Sequence, residues 1–145
     1  MTNFSCKVYI AASSKEFDRY LGFVSRVEEL PNIEVTQNWS KNIILSGLVG
    51  YTSDEDLPDP IAAQVYTSCK AGVKDAHIFV MLAPTTPTRG AWFEAGLADG
   101  TCHMVSVGDP GSAFRTAFHR VFKTEDEVID WLSTISNWNV RLNAL

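Results

Sequence analysis

Lys7-Val8-Tyr9-Ile10-Ala11-Ala12 is a short, almost wholly apolar segment near the start of the chain. Such a segment is typical of a strand that is buried on both faces of a parallel sheet. A segment with helical spacing of apolar residues follows from Phe17 to Leu30, and Ile33-Glu34-Val35-Thr36 predicts a second strand. Because a helix joins two strands, we expect a right-handed βαβ unit.

The rest of the chain continues the alternation of strands and helices. The predicted elements are a helix over Ile61–Ala71, the strongest strand over Ala76–Leu82, a helix over Gly90–Asp99, a strand over His103–Val107, a brief edge strand over Arg120–Phe122 and a last helix from Thr124 to Ile135. This order predicts one α/β domain over residues 1–145. It is a flavodoxin-like or Rossmann-like three-layer sandwich, with a mainly parallel sheet of four or five strands in the order 2-1-3-4-5.

Two segments fit this scheme less clearly. The connection from Gln37 to Pro60 is long enough to indicate a functional role, and it includes an acidic stretch, Asp54–Asp59. The tail Asn137–Leu145 has no clear pattern.

Composition limits the classes of partner. The formal net charge is -5 and there is no cluster of lysines or arginines, whereas proteins that bind nucleic-acid polymers usually have a basic face. We therefore expect no polymeric nucleic acid and no membrane as partners. The three cysteines are widely separated and the histidines are scattered. This spacing favours reduced thiols in a cytoplasmic protein that needs no metal and no cofactor.

The loops after the first and third strands are the predicted ligand-binding region. In the predicted strand order, Ser13-Ser14 and the loop Ala83–Arg89 should face each other across one crevice at the carboxyl ends of the strands. The next helix opens with Gly90, whose missing side chain lets a ligand approach, and places Glu94 within about its first turn. A glutamate there also stabilises any helix through its dipole, and Arg89 is equally consistent with a solvated loop charge.

The segments Val8-Tyr9-Ile10-Ala11-Ala12, Gly72–Val80 and Arg89-Gly90-Ala91-Trp92-Phe93-Glu94-Ala95-Gly96 resemble the nucleoside 2-deoxyribosyltransferase family, most closely its short phage and bacterial members. The similarity covers roughly residues 7 to 107, and its most specific part is Gly-x-x-x-Glu-x-Gly after a buried strand. The resemblance implies that Glu94 attacks C1′ of the sugar and that Tyr9, at the end of the first strand, holds the carboxylate by a hydrogen bond. Glu94 must be ionised to attack, and the helix dipole and the tyrosine hydroxyl would both favour the ionised form.

One position departs from the family pattern. Family members usually have an aspartate on the helix before the third strand, and the corresponding residue here is Cys69 or Thr67, depending on how the strand start is counted. Neither can protonate or bind a base as an aspartate does. Asp75 or an acidic residue of Asp54–Asp59 is a candidate substitute.

Five residues are predicted to bind the substrate, and three of them have a structural alternative. They are Ser13, Trp39, Asp75, Arg89 and Gly90. Ser13 is equally suited to cap a helix, and without a paired base it is not a nucleophile. Trp39 could stack on a nucleobase or pack in the core.

The sequence thus predicts a cytoplasmic enzyme that cleaves N-glycosidic bonds of nucleosides or nucleotides, by deoxyribosyl transfer between bases or by hydrolysis. A non-catalytic nucleotide-binding module is the alternative, motivated by the missing aspartate, and an NAD-cleaving glycosidase is a third hypothesis. The family resemblance also implies a homo-oligomer whose subunits complete each other's pockets.

Overall fold

The computed structural model describes residues 5–39, 57–85 and 88–144, and only the backbone of residues 138–144. Within these ranges there are five strands, β1 (Cys6–Ala11), β2 (Ile33–Val35), β3 (Ile78–Leu82), β4 (His103–Val107) and β5 (Arg120–Phe122). The longer helices are α1 (Phe17–Glu28), α2 (Asp59–Asp75), α3 (Gly90–Ala98) and α4 (Glu125–Ala144). Two short 3-10 helices, Ser14–Glu16 and Ala113–Ala117, precede α1 and β5.

The strands form one sheet in the order β2-β1-β3-β4-β5, and every neighbouring pair is parallel. The predicted strand order and the brief edge strand β5 are therefore confirmed. β1 is buried along nearly its whole length and β3 along all of it, as expected for central strands that are covered on both faces.

Helices cover both faces of the sheet. α2 and α3 contact each other over one face, while α1 and α4 pack together on the other. Arg19 joins α1 to α4 and to the sheet. Its guanidinium donates to the carboxylate of Glu125 at 3.0 Å and to the carbonyl of Ala83, just after β3, at 2.8 Å. The three-layer α/β sandwich expected from the sequence is thus the observed fold.

Two helices are longer than predicted. α2 begins at Asp59 and ends at Asp75. It can include Pro60 in its first turn because the N–H that proline lacks would have no partner within the helix there. α4 continues to Ala144, through the tail for which no element was predicted. Neither glycine nor proline occurs between Ile135 and Ala144, so the two residues least compatible with a helix interior are absent there.

Candidate active site

Tyr9 lies inside the sheet rather than at its edge. It is the fourth residue of β1, where it pairs with Phe79 of β3, and the two rings stack with centroids 5.8 Å apart. The ring is fully buried, yet the hydroxyl extends to the carboxyl of Glu94 and donates a hydrogen bond to Oε2. The prediction that Tyr9 ends its strand is wrong, but the two residues implied by the family resemblance are in contact.

Glu94 is the fifth residue of α3, so it lies beyond the first turn, which contains no acidic residue. The predicted placement within the first turn is therefore wrong. This matters because the stabilising effect of the helix dipole on a carboxylate decreases rapidly after that turn. The Tyr9 hydroxyl thus becomes the main feature that favours the ionised form.

Burial has the larger effect on this carboxyl. It raises the pKa of Glu94 to about 8, since removing a charge from water disfavours the ionised form. Burial thus opposes the tyrosine hydrogen bond, which favours the ionised form, and the neutral form of Glu94 predominates at neutral pH. A carboxyl whose pKa is shifted this far, in a cleft, is a functional-site candidate on physical grounds.

A pocket between α2 and α3 contains Glu94. Its volume is about 190 Å³, and apolar surface predominates in its lining. The lining side chains from α2 and from the residues just before it are half aliphatic, and the others are those of Tyr66, Cys69 and Lys70. Residues that line the pocket with Glu94 include Leu57, Val65, Cys69, Lys70, Gly90 and Leu97.

Cys69 occupies the wall of this pocket, whereas Thr67 is exposed and donates its hydroxyl hydrogen bond to the carbonyl of Ala63 at 2.9 Å. Of the two candidate positions, Cys69 is therefore the one that lines the Glu94 pocket. Burial raises the pKa of the Cys69 thiol to about 11. Cys69 thus brings a neutral thiol to the pocket that also contains Glu94.

Gly72 is a supporting residue that the sequence reasoning did not identify. A Cβ atom at this position would lie 2.6 Å from Cβ of Gln37 and about 3.1 Å from the ring of Tyr9. The missing side chain lets α2 lie directly on the tyrosine, and the carbonyl of Gly72 accepts a 2.8 Å hydrogen bond from Thr36. The sequence offered no signal for this role, because a glycine directly after the predicted helix Ile61–Ala71 is an ordinary helix end.

The loops after β1 and β3 meet, as predicted from the strand order. Glu16, after β1, accepts hydrogen bonds from the hydroxyl of Thr85 at 2.7 Å and from its backbone N–H at 3.3 Å. Ser13 is buried, and its hydroxyl accepts from the backbone of Lys15 at 3.2 Å, which caps the short helix. The Ser13 side chain is therefore engaged in a cap, and Ser13 is not among the described residues that line the Glu94 pocket.

The start of α3 separates two cavities. Gly90 lines the Glu94 pocket, whereas Arg89 is exposed and lines a neighbouring groove of about 720 Å³ together with Trp92, Phe114 and Phe118. Phe93 contributes to both.

The structure does not bring Trp39 or Asp75 into the Glu94 pocket. Trp39 is buried, with its ring stacked on Tyr20 at 4.0 Å between centroids. Asp75 ends α2 near the amino ends of the strands, where its carboxylate pairs with the ammonium group of Lys7 at 3.0 Å. The acidic residues 54–56, considered as substitutes for the missing aspartate, lie outside the described residues.

Residues 5–39, 57–85 and 88–144 contain no group of three or more histidines, cysteines, aspartates or glutamates arranged to hold a metal ion. Over the same part of the chain, every helix is too short or too polar to cross a bilayer.

No protein-family model and no curated protein matches this chain. Among solved structures, the chain is similar to Clostridium botulinum CMP N-glycosidase, BcmB, with a TM-score of 0.54 and 15% sequence identity. The similarity covers 87% of this chain and 97% of that one. At this level of identity the similarity shows a shared fold, so the chain has the α/β fold on which that N-glycosidase is built.

Proposed function

We propose that this protein cleaves the N-glycosidic bond of nucleosides or nucleotides, with Glu94 as the nucleophile and Tyr9 as the residue that positions it. The observation that supports this most is the hydrogen bond from the buried Tyr9 hydroxyl to the Glu94 carboxyl at the wall of an apolar pocket. The CMP N-glycosidase activity in the name of the structural neighbour supports the same class of reaction.

The proposed reaction has two steps. In the first, a Glu94 carboxylate oxygen bonds to C1′ of the sugar while the bond from C1′ to the base nitrogen breaks, and the bonding electrons leave with the base. In the second, water or another base attacks C1′, the glycosyl ester breaks and the carboxylate is regenerated. Both steps pass through an oxocarbenium-like transition state, and net retention at C1′ is expected.

The raised pKa of Glu94 is compatible with this role. An ionised carboxylate in an apolar site stabilises the positive charge that develops on the sugar more strongly than one in water. Because burial places the pKa near 8, only a minor fraction of the protein is ionised at pH 7, and the rate should increase as the pH approaches 8.

The other predicted binding residues differ in how well their positions suit contact with the substrate. Gly90 borders the pocket, which supports a role in close backbone approach to the substrate. Arg89, exposed beside it, is suited to an anionic part of the ligand. Trp39 and Asp75 are engaged elsewhere, and a binding role for either would require a rearrangement. Assembly into a homo-oligomer remains part of the proposal.

The test is base release. Purified protein is incubated with a panel of ribonucleosides, 2′-deoxyribonucleosides, their 5′-monophosphates and NAD, and the free bases are quantified by chromatography. We expect release from at least one substrate class and its loss in Glu94→Ala. Absence of release from every member of the panel, under conditions where the protein is folded, would overturn the proposal. Adding a second free base distinguishes transfer from hydrolysis.

A non-catalytic nucleotide-binding module is the second candidate function, and the position of Cys69 favours it. A neutral thiol lines the pocket where the family usually has a carboxyl group, and a thiol of high pKa is a weak proton donor to a leaving base. This candidate predicts nucleotide binding in calorimetry that survives Glu94→Gln, with no base release by the wild type.

A further inference from the structure

Two large aromatic side chains stand exposed at the mouth of the Glu94 pocket. Tyr66 of α2 is 48% exposed and Phe93 of α3 is 55% exposed, and their ring centroids are 6.1 Å apart. Both residues line the pocket, and Phe93 directly precedes Glu94. Exposed aromatic rings beside a small cavity offer faces on which a planar ligand can stack.

Lys70 contributes a positive charge to the same place. It follows Tyr66 by one helical turn, it lines the pocket, and its ammonium nitrogen lies 5.6 Å above the centre of the Tyr66 ring. Within residues 57–85 and the other described segments, the ion pairs involve other cations, namely Lys7, Arg19 and Arg26. The charge of Lys70 is therefore not neutralised by Glu94 in these parts of the chain.

The polar groups around these rings favour a ligand edge that accepts hydrogen bonds. An ammonium group has three donors and no acceptor. The nearby Cys69 side chain is a neutral thiol rather than a carboxylate. Apart from Glu94, the described lining offers no carboxylate to receive an amino group, so a carbonyl oxygen or a ring nitrogen with a lone pair fits best.

We propose that Tyr66, Phe93 and Lys70 form the nucleobase subsite, and that Lys70 donates a hydrogen bond to a carbonyl oxygen of the departing base. This proposal rests on the function proposed above and specifies its substrate class, which is bases with a carbonyl group on the ring. When the bond from C1′ breaks, its electron pair delocalises from the ring nitrogen onto that oxygen. Lys70 stabilises this charge until the base takes up a proton from water.

The size of the cavity agrees with a subsite for one part of the substrate. Ligand pockets for whole small molecules commonly measure about 300–1,000 Å³, whereas the described cavity measures about 190 Å³. A base can be stacked at its mouth while the sugar extends towards Glu94 and the start of α3.

The first experiment compares Lys70→Met with Lys74→Met. Lys74 lies one turn further along α2, is exposed and does not line the pocket. We expect Lys70→Met to lower kcat for a carbonyl-bearing base about 100-fold, while Lys74→Met stays near wild type. The same variant should lose far less activity on an activated 4-nitrophenyl 2-deoxyriboside, because the leaving group of this substrate needs no stabilising cation. Equal activities of the two variants on natural bases would overturn the proposal.

The second experiment measures binding without turnover. In a Glu94→Gln background, calorimetry with a cytosine or uracil nucleotide is repeated with Phe93→Leu, Lys70→Met and, as control, Phe114→Leu, an exposed phenylalanine of the neighbouring groove. Stacking on an aromatic ring predicts about a 10-fold or greater loss of affinity for Phe93→Leu and no loss for Phe114→Leu. Equal binding by all variants would overturn the subsite.

The two experiments separate this inference from the function on which it rests. If the wild type releases no base, the glycosidase proposal fails, but the binding experiment still decides whether the subsite exists. If bases are released and neither Lys70 nor Phe93 affects binding or rate, the function stands and the subsite is wrong. Thermal melting of each variant verifies that it remains folded.

Discussion

Two carboxyl groups of this protein, Asp75 and Glu94, are in opposite surroundings. Asp75 is exposed near the amino ends of the strands, and its carboxylate pairs with the ammonium group of Lys7 at 3.0 Å. Glu94 lies half-buried in a pocket, without an ion pair among the described residues, and accepts a hydrogen bond from a buried phenol. An exposed pair contributes about 0–1 kcal/mol, whereas burial has shifted the pKa of Glu94 to about 8. Glu94, the carboxyl that is unfavourable to ionise where it lies, is the one at the site of the proposed chemistry.

The largest expected effect is the difference between Glu94→Gln and Asp75→Asn. Loss of the nucleophile should reduce base release at least about 10³-fold, whereas Asp75→Asn should leave it within about twofold, because an exposed ion pair contributes little. Both are measured as kcat/KM by chromatography of the free base. Similar losses in the two variants would remove the functional distinction between the two carboxyls.

Tyr9→Phe tests how the buried phenol supports Glu94. A hydrogen bond to a charged group is worth about 1.5–3 kcal/mol, so kcat should decrease about 10- to 100-fold. Because the lost bond favoured the ionised carboxylate, the pKa of Glu94 should rise further, and the pH-rate profile should shift to higher pH. A lower rate with an unchanged profile would indicate that Tyr9 acts only through packing.

Gly72→Ala tests the close packing of α2 on Tyr9. The added Cβ would lie 2.6 Å from Cβ of Gln37, so the helix must shift, at a cost of about 1–3 kcal/mol in the free energy of unfolding. Gly22→Ala in α1 is the matched control, since its Cβ meets nothing within 4 Å, and it should stabilise by about 0.5–1 kcal/mol. Urea unfolding and base release check both, and equal effects on stability would contradict the packing.

The smallest expected effect is the pH dependence of stability. The pKa of Glu94 is about 8 in the folded protein and near its ordinary value of 4.5 in the unfolded chain. The folded state therefore holds a proton that the unfolded state loses between these values, so the contribution of Glu94 to stability is most favourable below pH 4.5 and decreases as the pH rises towards 8. Relative to Glu94→Gln, the wild type should lose about 1 kcal/mol or more over this window.

Urea unfolding at pH 5, 6.5 and 8 measures this difference. Asp75→Asn serves as the control, and its difference from the wild type should remain below about 1 kcal/mol at each pH. A constant difference between wild type and Glu94→Gln would show that the carboxyl has an ordinary pKa.

Much of the fold could be predicted from the sequence, because strand and helix signals are local. The apolar run around Tyr9 and the strong strand Ile78–Leu82 predicted central parallel strands, and the short segment Arg120–Phe122 predicted the edge strand β5. The far end of α4 was not predicted, although Trp138 and Leu142 follow Ile135 at helical spacing, because the asparagines between them are residues that sometimes end a helix.

The site was predicted only in part, because it depends on contacts between distant residues. The family resemblance pointed to Tyr9 and Glu94, which do meet. Burial of Glu94, by contrast, depends on how α2 packs against α3, which no local pattern reveals. The same packing explains why Gly72 and the aromatic pair Tyr66 and Phe93 were not recognised. Asp75, by contrast, lies near the amino ends of the strands, away from the pocket.

The most direct test of the central claim is to locate a glycosyl group on the protein. Fluorine at C2′ slows both steps by destabilising their oxocarbenium-like transition states. The substrate therefore also carries a base that leaves readily, which keeps the first step fast enough for the glycosyl-enzyme to accumulate. Mass spectrometry of the intact protein and its peptides should show one added sugar, attached to the peptide that contains Glu94 and absent in Glu94→Gln. Release of base with no adduct, or an adduct on another residue, would contradict the account.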